Sequence, residues 1–104
     1  MSESNPHVSE MPRIYDIFDV PKVKSVRATT KIHKPIDIRE VLNRVPKVKS
    51  ITTSNKSVAR FNVKRGGYLL LFPNGYIEVH AADEGEVREV LVAFRDELFK
   101  SGLI

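Results

Sequence analysis

The sequence predicts an α+β domain of two layers, a curved antiparallel sheet with two helices on one face. The first observation is a pair of alternating segments, 68–72 and 76–80, joined by Pro-Asn-Gly. An Asn-Gly step between such segments favours a β-hairpin, because both residues tolerate positive φ. The second is that 36–45 and 84–102 repeat apolar residues at helical spacing. The predicted elements follow the order β-α-β-β-β-α, which is typical of an antiparallel sheet with helices on one side.

Length and composition restrict the class of protein. A chain of 104 residues is expected to form one domain with a single modest core. It has no cysteine, so it can form neither a disulfide nor a thiolate metal site. No apolar stretch approaches the roughly 18 residues of a membrane span, and the acidic, polar N-terminus is unlike a signal peptide. We therefore expect a soluble, cytoplasmic protein.

The net charge of +4 is unevenly distributed. Residues 21–65 contain thirteen basic and two acidic residues, a net charge of +11, whereas residues 1–20 carry −3 and residues 66–104 carry −4. A basic block of this kind attracts phosphate backbones. The alternative is a lysine-rich solubilising surface, as is common in heat-adapted proteins.

The N-terminal 20 residues are expected to form a flexible acidic arm, with the single domain over residues 21–104. Residues 1–12 are polar and lack periodicity. Residues 13–20 are apolar enough to dock on the domain, as a helical turn or as a strand.

The next alternating segment, Val23–Ile32, predicts the first strand. Ala28 and Thr30 would face the core, and Arg27 and Lys31 would face the opposite way. A short helix over 36–45 then presents an apolar stripe of Ile38, Val41, Leu42 and Val45, and ends at Pro46.

Two more strands precede the hairpin, a short one at 48–52 and a longer one at 58–64. In the longer strand one side carries Ala59, Phe61 and Val63, and the other carries Val58, Arg60 and Asn62. In the hairpin the core side carries Leu69, Leu71, Ile77 and Val79, and the opposite side carries Tyr68, Leu70, Phe72, Tyr76 and His80.

The final helix has the clearest boundaries. Asp83 and Glu86 have the spacing of a capping box, in which the first side chain caps the helix and the second reaches back. Gly102 suits the end of the helix. The buried stripe is expected to contain Val87, Val90, Leu91, Phe94 and Leu98.

In their order and spacing, these segments resemble one repeat of the TATA-box-binding protein fold. Residues 25–32, Ser-Val-Arg-Ala-Thr-Thr-Lys-Ile, match the first strand of that repeat, and Ile36-Asp37-Ile38 matches its Leu-Asp-Leu. Residues 69–82 match its hairpin block without a gap. The resemblance extends over residues 23–103 and implies a half saddle.

That family binds the minor groove of DNA with its concave sheet, and paired phenylalanines wedge between base steps. The resemblance places Phe72 at one wedge and Lys56 or a neighbour at the other. It also places Arg60 or Asn62 near a phosphate-contacting arginine. By this resemblance the sheet binds DNA.

Other positions depart from the family. Ser25 stands in place of an asparagine that reads base edges, and Tyr76 stands in place of a lysine. The resemblance therefore supports the fold more strongly than it supports recognition of a TATA sequence. A lone repeat supplies half of a saddle, which implies a homodimer joined along Val23–Ile32 as an unpaired edge strand.

The candidate binding face combines basic and aromatic side chains. Its cations are Arg27, Lys31, Arg60 and Lys64, expected on phosphates, and its aromatic residues are Tyr68, Phe72 and Tyr76, expected on bases or sugars. Phe72 is a groove wedge, a protein-contact anchor or, if the register slips by one residue, a core residue. Glu78 would repel phosphate from the middle of this face.

No catalytic constellation stands out. The chain lacks a phosphate-cradling glycine motif, a Ser-His-Asp set and a paired-carboxylate set, and its histidines lack ligand spacing. We therefore expect no enzyme, no cofactor and no metal. Two functions remain open: a DNA-binding protein connected with transcription, or a module that docks a protein of the transcription or replication machinery through the same face.

Overall fold

The computed structural model describes residues 11–24, 27–33, 36–53, 56–64 and 66–104, with the backbone alone at positions 53 and 56. In this part, the elements in chain order are α1 (Ile14–Ile17), β1 (Lys22–Lys24), β2 (Arg27–Lys31), α2 (Ile38–Arg44), β3 (Val48–Thr53), β4 (Lys56–Asn62), β5 (Tyr68–Leu71), β6 (Tyr76–His80) and α3 (Glu84–Lys100). The strands form one antiparallel sheet in the order β1-β2-β6-β5-β4-β3. The predicted α+β class is confirmed.

The helices pack on one face of this sheet, and their apolar stripes meet its buried face in a single cluster. Helix α3 buries the whole predicted stripe, Val87, Val90, Leu91, Phe94 and Leu98, and α2 contributes Val41 and Val45. The sheet contributes Ala28, Ala59, Phe61, Leu69, Leu71, Ile77 and Val79. The two predicted helices therefore share one face, as the alternation in the strands required.

Part of the predicted N-terminal arm belongs to this core. Ile14 and Ile17 of α1 are buried, and the ring of Phe18 stacks on Phe94 at 6.2 Å between centroids. Phe18 also forms a bridge with Ile32. The sequence left helix or strand open at 13–20, and the structure has a helical turn there. Burial of these apolar side chains stabilises the turn, so a third helix joins the predicted two.

Residues 23–32 do not form the single predicted strand. Strands β1 and β2 pair with each other, with Lys24 opposite Arg27 and Val23 opposite Ala28. The link between them, residues 25 and 26, lies outside the described residues. In one continuous strand Lys24 would share the buried face of Ala28. The hairpin places Val23 on that face instead and leaves Lys24 exposed.

This hairpin changes the predicted dimer edge. Strand β2 pairs with β1 on one side and with β6 on the other. The outer strand at this side of the sheet is β1, which has only three residues. The expectation of one long unpaired strand at Val23–Ile32 is therefore wrong, because the chain fills that edge itself.

The β5–β6 hairpin fixes the register at the centre of the sheet. The Phe72 carbonyl accepts the Gly75 N–H, and the Phe72 N–H donates to the Tyr76 carbonyl, both at 2.9 Å. Gly75 has φ of 88°, and a Cβ there would lie 3.3 Å from Cγ2 of Ile32. The resulting register sets Leu71 opposite Ile77.

The capping of α3 follows the predicted spacing. Asp83 Oδ1 accepts the Glu86 N–H at 2.8 Å, and Glu86 Oε1 accepts the Ala82 N–H at 2.8 Å. Among the described residues, no helix is long and apolar enough to cross a membrane.

Two glycine substitutions of the same size should have opposite effects on stability. Gly75→Ala should lower the free energy of unfolding by about 1–2 kcal/mol, because alanine disfavours positive φ. Gly85→Ala lies in the first turn of α3, where its Cβ would meet Asp83 Oδ1 at an ordinary 3.4 Å. It should be neutral or stabilising by up to about 1 kcal/mol. Urea unfolding measures both, and equal effects would contradict this account of the hairpin.

Candidate nucleic-acid interface

The sheet face turned away from the helices, called the open face below, is covered by no described helix. The strand register arranges its side chains in three rows across the sheet. The first row contains Lys24, Arg27, His80, Tyr68 and Asn62, and the second contains Lys22, Thr29, Glu78, Leu70, Arg60 and Lys49. The third row contains Lys31, Tyr76, Val58 and Ile51, together with Phe72, which directly follows β5 and bonds to the Tyr76 carbonyl.

Most of the predicted site residues lie on this face. They are Arg27, Lys31, Arg60, Asn62, Tyr68, Phe72 and Tyr76. Lys64 belongs to none of the rows, because β4 ends at Asn62 and the chain turns there; it lines a groove beside Glu89 and Ala93 of α3. Lys56 begins β4, and its side chain lies outside the described residues.

The first row is built around the ring of Tyr68. The His80 ring stacks on it with 4.6 Å between centroids and 7° between planes, and the Arg60 guanidinium carbon lies 3.9 Å from its centroid. Since β4 and β6 flank β5, these two groups cover opposite sides of the ring. The cation–π contact and the stacking hold Tyr68 in place. Both faces of this ring are therefore covered by neighbouring side chains.

Hydrogen bonds extend this cluster to the polar residues around it. Arg60 Nε donates to Asn62 Oδ1 at 2.9 Å, and His80 Nε2 lies 3.0 Å from Glu78 Oε1. The Glu78 and His80 side chains are only 22% and 28% exposed. The carboxylate that would repel phosphate is thus engaged by its neighbour and partly withdrawn from the surface.

The third row is apolar over most of its length. Val58 has no exposed surface, although it belongs to the open face and not to the cluster under the helices. Ile51 on β3 pairs with it, and on the other side Phe72 directly follows Leu71, the last residue of β5. The Phe72 ring contacts Tyr76 with 5.6 Å between centroids at 56°. The core alternative for Phe72 is wrong, because Leu71 is the residue that points to the helices.

Basic residues on the two sides of the protein differ in their partners. On the helix side, salt bridges join Arg39 to Asp37 at 3.1 Å, Arg44 to Glu40 at 3.5 Å and Lys47 to Glu97 at 3.2 Å. Hydrogen bonds from Arg39 lower the pKa of the Asp37 carboxyl. On the open face, the exposed cations are Lys22, Lys24, Arg27, Lys31 and Lys49, and none forms a salt bridge with another described residue. The open face therefore holds most of the described cations of the basic block that form no salt bridge, although Lys64, beside α3, also forms none.

Sequence reasoning missed several members of this face. Lys22 precedes the strand predicted at Val23–Ile32, and Lys24 was given no face in it. Lys24, which alternation places on the buried side of that predicted strand, was the available signal for a turn. Lys49 and Ile51 were missed because the strand at 48–52 was too short for a face assignment.

Comparisons with protein-family models, curated proteins and solved structures found no match to this chain. The described part of the chain contains no group of three His, Asp or Glu residues placed to hold a metal ion. The features of the site are therefore its cations, its aromatic residues and its apolar row.

Two phenylalanine substitutions test the assignment of the faces. Phe94→Ala should cost about 3–5 kcal/mol of stability, as for other fully buried aromatic residues. Phe72→Ala should cost about 1 kcal/mol, because the ring is only half-buried. Thermal or urea unfolding compares the two, and a cost for Phe72 equal to that for Phe94 would place Phe72 in the core.

Proposed function

We propose that this protein is a non-enzymatic DNA-binding protein that holds DNA on the open face. One observation carries this function: the open face has five exposed cations, and none of them forms a salt bridge with another described residue. On the helix side, by contrast, Arg39, Arg44 and Lys47 are each paired with a carboxylate. Phosphates are the anions that such an array attracts. The described open face has six basic side chains and one carboxylate, Glu78.

The cations are distributed along two borders of the face. Strands β1 and β2 carry Lys22, Lys24, Arg27 and Lys31 on one border, and β3 and β4 carry Lys49 and Arg60 on the other. Phe72, directly after β5, and Tyr76, on β6, lie between them. This arrangement allows backbone phosphates to contact the borders while sugars or bases contact the aromatic strip.

The resemblance to one repeat of the TATA-box-binding protein fold adds a context to this function. It suggests a role in transcription and a half saddle that binds DNA through its sheet. Contacts to phosphates carry no sequence information, so we expect binding that depends little on sequence.

A second candidate is a module that docks a protein of the nucleic-acid machinery on the same face. The apolar third row favours it, because Ile51, Val58 and Phe72 continue this row to β3 at the outer edge of the sheet. Glu78 in the second row also suits a protein partner better than a phosphate backbone. An acidic partner would then contact the basic border.

Salt dependence measures the proposed phosphate contacts. With about four contacts, a log–log plot of the association constant against salt should have a slope of about −3 to −4 on duplex DNA. Arg27→Ala should weaken binding and reduce the slope by about 0.9. Arg39→Ala is the matched control, because Arg39 lies on α2 and bonds to Asp37. It should leave both quantities unchanged.

Fluorescence anisotropy with a labelled duplex at several salt concentrations gives these values. If the native protein fails to bind DNA at about 50 mM salt, where phosphate contacts are strong, the DNA-binding function is wrong and the protein-docking candidate takes its place. Equal losses in Arg27→Ala and Arg39→Ala would show that binding does not use the open face.

A further inference from the structure

The two rings of the third row form the walls of a cavity. This cavity has a volume of about 350 Å³ and is lined by Phe72, Pro73, Asn74 and Tyr76. The volume lies at the lower end of the roughly 300–1,000 Å³ that small-ligand sites span. The rings are inclined by 56° to each other, so they enclose a recess and do not form a flat platform.

A second cavity adjoins the same tyrosine. It has a volume of about 180 Å³, and its lining includes Lys22, Lys31, Asp19, Thr29 and Tyr76. The two lysines belong to the open-face cations that form no salt bridge with other described residues. The carboxylate of Asp19 has a neighbour of its own, since His33 Nε2 lies 3.2 Å from its Oδ1. Tyr76 is therefore shared by an aromatic recess and a lysine-lined recess.

A polar group at the turn completes the aromatic recess. Asn74 Oδ1 accepts the Tyr76 N–H at 3.0 Å. Its Nδ2 has no acceptor among the described residues, so this amide can donate to the edge of a ligand. The recess thus offers ring faces and one amide donor, and the next recess offers two ammonium groups.

We propose that these two recesses receive one unpaired nucleotide of a DNA strand, with its base against Phe72 and Tyr76 and its phosphate near Lys22 and Lys31. This proposal rests on the DNA-binding function above and specifies the form of DNA that the open face prefers. The faces of paired bases are stacked inside a duplex, whereas a single strand or a bulge offers a base that can enter a recess. Tyr76, which is 37% exposed, is the ring available for this contact, because both faces of Tyr68 are covered.

The test compares three DNA ligands of matched sequence: a duplex, the same duplex with one unpaired nucleotide, and a single strand. Native protein should bind the bulged duplex and the single strand about tenfold more tightly than the duplex, within the range for stacking of one base. Tyr76→Leu should abolish that preference, so that the three ligands bind with similar affinity. Tyr76→Phe should keep the preference, because the ring remains.

Tyr15→Leu is the matched control. Tyr15 lies on α1, away from the open face, and is 44% exposed; its replacement should alter no affinity. Thermal unfolding checks that each variant is folded, and Tyr76→Phe provides the ring test if Tyr76→Leu fails to fold. Loss of the preference in Tyr76→Phe would contradict stacking.

The outcomes distinguish a failure of the nucleotide site from a failure of the DNA-binding function. If the native protein binds none of the three ligands, the DNA-binding function fails and the nucleotide site fails with it. If it binds all three equally, or if Tyr76→Leu weakens all three equally, the DNA-binding function stands and the nucleotide site is overturned.

Discussion

The packing of α3 against one face of the sheet determines most of the structure. Val90, Leu91 and Phe94 fill the space above β5 and β6, where Leu69, Leu71, Ile77 and Val79 point toward them. Because side chains alternate along a strand, this contact directs every second residue of both strands to the opposite face. A register slip of one residue would bury Glu78 and expose Leu71. The composition of the open face is therefore a consequence of the core.

The side chains of the open face differ in how tightly their neighbours hold them. Around Tyr68, a cation–π contact, a stacked ring and two hydrogen bonds fix Arg60 and His80. Near the β5–β6 turn, Tyr76 borders two recesses and remains accessible. A preorganised support beside an accessible ring favours binding, since less conformational freedom is lost on contact. The lysines on β1 and β2 form no salt bridge with other described residues, so they attract phosphate. Salt limits the distance over which this attraction acts.

Much of this arrangement could be predicted from the sequence. The alternation in 68–72 and 76–80 was long enough to fix both faces, and Asp83 with Glu86 marked the start of α3. The β1–β2 hairpin was not predicted, because Val26–Ile32 alternates and residues 23–32 contain no glycine, proline or asparagine to mark a turn. The signal against a single strand was Lys24, which such a strand would place on the buried face. The covered ring of Tyr68 could not be predicted either, because it depends on the register between β4, β5 and β6. The burial of Ile17 and Phe18 depends on long-range packing against α3, which local periodicity does not reveal.

The central claim is that the open face, and not the helical layer, is the binding surface. Two-dimensional NMR of the labelled protein tests it directly, by titration with a short single-stranded oligonucleotide. Amide and aromatic signals of β2, β5 and β6 should shift, with the largest changes at Phe72 and Tyr76, while the exposed side of α3 at Arg88 and Glu89 stays unchanged. Shifts confined to α2 and α3 would contradict the account, as would the absence of any shift at millimolar oligonucleotide.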